Sequence, residues 1–100
     1  MEIEMKIEDI ITEAALKIVV FTAKEDYPTL INDAKKASES ILNFIEFSNK
    51  IAEKEETNEV LVDYLLTIVY ELNESYHPNS DIWRKYLKLF YLNILYWVKD

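Results

Sequence analysis

Glycine and cysteine are both absent from this chain of 100 residues, and each absence removes whole classes of function. Without glycine there is no Gly-rich phosphate loop, no dinucleotide-binding fingerprint, no nucleophile elbow and no glycine-hinged calcium loop. The tight hairpin turns that depend on glycine are also poorly supplied, which argues against a β-hairpin fold. Without cysteine there is no disulfide, no thiolate chemistry and no zinc-finger site, a composition that fits a reducing compartment.

Basic residues are scarce, because 11 Lys and Arg stand against 19 Asp and Glu and give a formal net charge of −8. Such a chain repels nucleic acid phosphates over most of its surface and attracts basic partners, so direct nucleic acid binding is not expected. The first six residues are acidic where a signal peptide is basic and then apolar, and no apolar run is long enough to span a bilayer. We therefore expect a cytoplasmic protein without a membrane segment.

Histidine occurs once, at His77, and this limits metal and acid–base chemistry. Glu74 and His77 have the Glu-x-x-His spacing of di-iron helical bundles, but such sites need that motif twice and further glutamates from two other helices. A lone histidine among many serines and aspartates does not define a catalytic triad. The sequence predicts no metal site, no cofactor and no enzymatic activity.

Four segments with helical periodicity are separated by Pro28, a polar run at 53–58 and the segment 77–81. In each segment apolar residues recur at steps of three and four, the spacing of one helical face. We predict helices over about residues 3–25, 29–54, 59–76 and 82–98. Short connections favour antiparallel neighbours, so the predicted fold is an all-α, single-domain antiparallel four-helix bundle over residues 1–100. The alternative is a helical assembly in which two chains share one core.

The predicted core positions follow from the same spacing. The third helix is apolar around most of its circumference, and we expect it to be the most buried of the four. The core-facing residues of the other three helices are Ile3, Ile7, Ile11, Ala14, Ile18 and Phe21 in the first, Leu30, Ala34, Ala37, Ile41, Phe44, Ser48 and Ile51 in the second, and Trp83, Leu87, Phe90, Ile94 and Trp97 in the fourth.

The last predicted helix carries more apolar surface than one core-facing stripe needs. Eight of the 13 aromatic residues fall between positions 70 and 100, and aromatic enrichment is typical of the buried centres of interfaces. One interpretation is that this helix binds a protein partner; the other is that it lies at the centre of the bundle. The predicted hydrophobic partner-binding residues are Tyr86, Phe90, Tyr91, Tyr96 and Trp97.

Charge is uneven along the chain, because residues 56–78 contain five acidic and no basic residues while residues 79–100 carry a net charge of +2. The acidic residues form either a strip that steers toward a basic partner or an ordinary solvated helix face. At the start of the last helix, Arg84, Lys85 and Lys88 are expected to pair with the end of the third helix, in preference to binding single-stranded nucleic acid. The predicted acidic partner-binding residues are Glu56, Glu59, Asp63, Glu71 and Glu74.

Three functions follow from these features. The first is a non-catalytic, acidic, helical protein-binding module that inhibits or regulates a partner with a basic or apolar groove; anti-CRISPR proteins and antitoxins have comparable size and charge. The second is a structural subunit or homo-oligomer, such as a homodimer, that consumes the apolar surplus by self-association. The third is binding of a small apolar ligand between helices.

Overall fold

The segments with helical periodicity form α-helices in the structure, a computed structural model that describes residues 6–54, 59–75 and 81–99, with residues 73–75 and 81 described by their backbone alone. No strand occurs in these residues, so the all-α prediction is confirmed. The α-helices of the described residues are α1 (Ile7–Phe21), α2 (Tyr27–Ala37), α3 (Ile41–Lys54), α4 (Glu59–Ser75) and α5 (Asp81–Val98).

The prediction of one helix over 29–54 is wrong, because a short turn divides this segment into α2 and α3. The hydroxyl of Ser38 donates a hydrogen bond of 2.7 Å to the carbonyl oxygen of Lys35 at the end of α2. The Oγ of Ser40 accepts a hydrogen bond of 3.0 Å from the backbone N–H of Asn43, as an N-cap does. These bonds satisfy backbone groups that helix ends leave open, so the predicted four helices become five.

The first helix ends four residues earlier than predicted, at Phe21. The hydroxyl of Thr22 donates a hydrogen bond of 2.6 Å to the carbonyl oxygen of Ile18 and helps to close the last turn. A 3₁₀ turn over Lys24–Asp26 then leads into α2, which has Pro28 in its first turn, where the missing N–H is not needed. The start of the predicted helix, at residues 3–5, lies outside the described residues.

The five helices pack in a closed order, which differs from the predicted antiparallel four-helix bundle. Helix α1 lies between α4 and α5 and packs against both, α5 packs against α2, α2 against α3, and α3 against α4. Helices α4 and α5 are consecutive in the described chain, yet they are not among its main packing pairs. The helix order is therefore α1, α5, α2, α3, α4 and back to α1.

The core lies inside this closed order and receives side chains from all five helices. At its centre the ring of Phe90 meets the rings of Phe44 and Phe47 edge to face, with centroid distances of 5.2 and 5.7 Å. The buried apolar side chains are Ile11, Ala14, Ala15, Ile18, Val19, Leu30, Ala34, Ala37, Phe44, Phe47, Leu61, Leu65, Ile68, Leu72, Trp83, Leu87, Phe90 and Ile94.

Candidate functional site

The outward side of α4 presents a mixed acidic and apolar surface, here called the α4 outer face. It consists of Glu59, Asp63, Leu66, Thr67 and Tyr70, all of which are exposed. Leu66 and Tyr70 are 60% and 63% exposed and lie one helical turn apart. The Thr67 hydroxyl donates a hydrogen bond of 2.7 Å to the backbone carbonyl of Asp63, so Thr67 is held against its own helix.

The exposure of Leu66 and Tyr70 contradicts the expectation that this helix is the most buried. With 3.6 residues per turn, Leu66 and Tyr70 lie about 140° and 180° around the helix from the buried Leu61. Helices α1 and α3 cover the flanks of α4, and nothing in the described residues covers its outer side. The partner-binding set predicted from the sequence contained neither residue, although their angular distance from Leu61 and Leu65 was a usable signal.

The predicted acidic residues divide into three groups. Glu59 and Asp63 are exposed on the α4 outer face. Glu71 is half-buried and already interacts within the protein. Glu56 and the side chain of Glu74 lie outside the described residues. Since residues 59–75 contain no Lys, Arg or His, no cation on α4 itself offsets the two exposed carboxylates.

The predicted hydrophobic anchors on α5 are mostly occupied within the protein. Phe90 is 0% exposed and belongs to the aromatic centre of the core, so assigning it to a partner-binding surface is corrected. Tyr86, Tyr91 and Trp97 are half-buried and pack against the core. Only Tyr96 is largely exposed, at 61%, with its ring edge to face with Trp97 at 4.9 Å. Helix α5 therefore contributes chiefly to the core.

Exposed apolar side chains are concentrated on three of the five helices. Of nine large apolar side chains exposed among the described residues, eight lie on α1, α4 and α5, and α1 stands between the other two. Besides Leu66, Tyr70 and Tyr96, these are Val20, Phe21, Val60, Ile82 and Leu92; the ninth is Leu42 on α3.

The first half of α5 presents a second surface, called the α5 basic surface, formed by the exposed residues Arg84, Lys85, Lys88 and Leu92. The guanidinium carbon of Arg84 lies 5.4 Å from the ring centroid of Trp83, within cation–π range. One groove beside this surface is shared with α1 and another with α2. In the residues that the structure describes, no ion pair joins these cations to a carboxylate, and α1 packs between α4 and α5. The side chain of Glu74, one of the two expected partners, lies outside the described residues.

An open groove between α2 and α3 is the clearest depression elsewhere, with a volume of about 280 Å³. Asp33, Phe47 and Lys50 line it and also line the depression next to it. Two carboxylates, two lysines and two threonines line it together with Leu30, Phe47 and Ile51. The four charged side chains exceed the small number of polar groups that a typical small-ligand pocket contains.

The described part of the chain contains neither a metal-binding cluster nor a membrane-spanning helix. No group of three His, Asp or Glu side chains there is arranged to hold a metal ion. The Glu74 and His77 side chains of the Glu-x-x-His spacing lie outside the described residues. Every described helix is too short or too polar to cross a lipid bilayer.

No protein-family model, curated protein or solved structure matches this chain. The features of this chain that bear on its function are therefore its two exposed surfaces, the α4 outer face and the α5 basic surface.

Proposed function

We propose that this chain is a non-catalytic protein-binding module that uses the α4 outer face to bind a partner with a basic rim around a shallow apolar pocket, and that it inhibits or regulates that partner in the cytoplasm. The observation that carries the proposal is the exposure of Leu66 and Tyr70 beside Glu59 and Asp63, on a helix without a basic residue. The alternative is that the acidic residues form an ordinary solvated helix face. Such a face needs only polar side chains, so it does not explain why two large apolar side chains are exposed to water.

The two kinds of side chain have separate roles in this proposal. Leu66 and Tyr70 are one turn apart, so they enter one pocket together, as the anchors of an amphipathic helix in a groove do. A tyrosine at the centre of an interface is a typical hot spot, where truncation costs about 2 kcal/mol or more. Glu59 and Asp63 lie on the rim, where exposed charges chiefly raise the association rate.

The inhibitory role follows from the chemistry of the surface that this face fits. Basic surfaces with apolar pockets bind phosphates, acidic peptides or nucleic acids, and an acidic helix that covers such a surface excludes those ligands. The net charge of −8 extends the attraction beyond the contact itself. A small-ligand function has less support, because the α2–α3 groove is lined by charges.

The test is a pull-down with tagged protein, in which captured proteins are compared between two variants of equal net charge. Glu59→Lys/Asp63→Lys changes the α4 outer face, and Glu46→Lys/Glu53→Lys changes exposed carboxylates on α3 by the same amount. We expect the unmodified protein and the α3 variant to retain one stoichiometric partner in low salt and the α4 variant to lose it.

Once the partner is identified, association kinetics separate the roles of charge and apolar contact. Glu59→Lys/Asp63→Lys should lower the association rate about tenfold or more at low salt, whereas Tyr70→Ala should raise the dissociation rate. Equal capture by both charge variants, or the absence of any stoichiometric partner, would overturn the proposal.

A further inference from the structure

The α5 basic surface is chemically complementary to the α4 outer face of the same chain. The first offers Arg84, Lys85 and Lys88 around an exposed leucine, and the second offers carboxylates around an exposed leucine and tyrosine. We propose that copies of this chain self-associate by packing the α5 basic surface of one copy against the α4 outer face of another. The inference stands independently of the partner proposed above.

The helix order prevents these two surfaces from meeting within one molecule. Helix α1 packs between α4 and α5, and these two helices are not among the main packing pairs of the described residues. Glu8 of α1 and Glu39, just after α2, line the grooves beside these cations, but no ion pair joins either carboxylate to them in the part of the chain that the structure describes. Complementary surfaces that cannot meet in one copy can meet only between copies, either twice in a closed pair or head to tail in a longer assembly.

Single-stranded nucleic acid is the other occupant that a basic surface suggests, and the structure disfavours it. Sequence-tolerant binding of single strands needs aromatic faces on which bases stack. Of the aromatic residues beside the cations, Trp83 and Phe90 are buried and Tyr86 and Tyr91 are half-buried against the core. The exposed apolar member of the surface is Leu92, which offers no ring. An acidic, apolar helix fits this surface better.

The charges on both surfaces are exposed, so the self-association should be weak and strongly dependent on salt. The screening length falls from about 10 Å at 0.1 M salt to about 3 Å at 1 M. We expect a dissociation constant of about 10 μM to 1 mM at 0.1 M salt, weakened at least about fivefold at 1 M. Sedimentation velocity over a concentration series, with the purified protein alone, measures both values.

A charge exchange tests which surfaces are in contact. Variant X carries Lys85→Glu/Lys88→Glu, so both of its surfaces are acidic; variant Y carries Glu59→Lys/Asp63→Lys, so both are basic. Neither variant should self-associate. An equal mixture of X and Y should associate at least as strongly as the unmodified protein, because each acidic surface then finds a basic one. Circular dichroism verifies that both variants are folded.

The outcomes are distinct. Association in the mixture but in neither variant alone establishes the α4–α5 contact. An unmodified protein that stays monomeric up to about 1 mM at 0.1 M salt, association by X alone, or a mixture that stays monomeric would each overturn it. Binding of a labelled single-stranded oligonucleotide by the monomer, lost in X, would also overturn it in favour of nucleic acid. Because X keeps the α4 outer face intact, capture of an external partner by X tests the proposed function separately.

Discussion

Replacing Phe90 by alanine is the most decisive perturbation of this fold, because its ring joins α3 and α5 at the centre of the core. Phe90 is fully buried and makes edge-to-face contacts with Phe44 and Phe47. Had α5 been a partner-binding helix with Phe90 as an anchor, the substitution would weaken binding and leave the fold intact. The structure predicts instead that the substitution lowers the free energy of unfolding.

The expected cost follows from the contacts. Truncating a buried phenylalanine to alanine costs about 3–5 kcal/mol. Edge-to-face aromatic pairs contribute about 0.5–1.5 kcal/mol beyond the area they bury, and Phe90 makes two of them, so we expect a cost at the upper end of the range for a buried phenylalanine, about 4–5 kcal/mol. A domain of this size has a free energy of unfolding of about 5–15 kcal/mol, so the substitution removes between about a third and nearly all of it.

A milder variant keeps the experiment informative when Phe90→Ala does not fold. Phe90→Leu retains most of the apolar volume and loses the ring contacts, for an expected cost of about 1–2 kcal/mol and a fall in Tm of about 5–15 °C. Leu92→Ala is the matched control, because Leu92 is half-exposed on the same helix and its truncation should change stability by at most about 0.5 kcal/mol.

Urea unfolding, followed by circular dichroism at several urea concentrations, gives these values directly. Equal costs for Phe90→Leu and Leu92→Ala would refute the assignment of Phe90 to the core. A loss of less than about 1 kcal/mol in Phe90→Ala would refute it more strongly, since no buried phenylalanine is removed so cheaply.

Three further predictions concern single side chains. Ser40→Ala removes the side-chain acceptor for the Asn43 backbone N–H and should cost about 1 kcal/mol in urea unfolding, while Ser40→Asp, which restores an acceptor, should cost less; equal losses would show that the cap contributes nothing. Trp83→Phe should cost less than about 1.5 kcal/mol despite the lost volume, because the buried Nε1–H has no hydrogen-bond partner in the described structure and its removal offsets part of the loss; a cost above about 3 kcal/mol would point to an acceptor for that N–H. Tyr70→Ala should shift the free energy of unfolding by at most about 0.5 kcal/mol, since Tyr70 is largely exposed, and a larger loss would place Tyr70 in the core.

Core positions could be predicted from spacing wherever a helix runs unbroken. Steps of three and four predict Trp83, Leu87, Phe90, Ile94 and Trp97 as core residues of α5; the first four are buried and Trp97 is half-buried. The rule fails at Phe21, which continues the spacing of α1 but is exposed because the helix ends there.

The division of the second predicted helix could not be read from apolar spacing. Ala34, Ala37 and Phe44 keep the helical period on both sides of the turn, so the pattern shows no interruption. The available signal was the pair Ser40 and Asn43, which has the spacing of an N-cap. A short turn leaves no gap in the apolar spacing when the helices before and after it bury residues that follow one helical period, as α2 and α3 do.

The exposed surfaces depend on the order in which the helices pack, and no local pattern encodes that order. The sequence predicts α4 and α5 as antiparallel neighbours, and the expected pairing of Arg84, Lys85 and Lys88 with the end of the third helix depends on that prediction. Because α1 packs between these helices, the cations of α5 face outward and so do Leu66 and Tyr70. The acidic character of α4 is visible in the sequence, and so is the angular distance of Leu66 and Tyr70 from Leu61, but only the packing order shows that no described helix covers these two side chains.

The position of α1 also bears on how the chain folds as it is made. The buried face of α1 is completed by α4 and α5, which leave the ribosome after α2 and α3. At a synthesis rate of about 5–20 residues per second, roughly 60 residues separate α1 from the start of α5, so its apolar face waits several seconds for its partners. During that interval α2 and α3 are able to pair locally, but the side of the core that α5 covers stays open until α5 packs against α1 and α2.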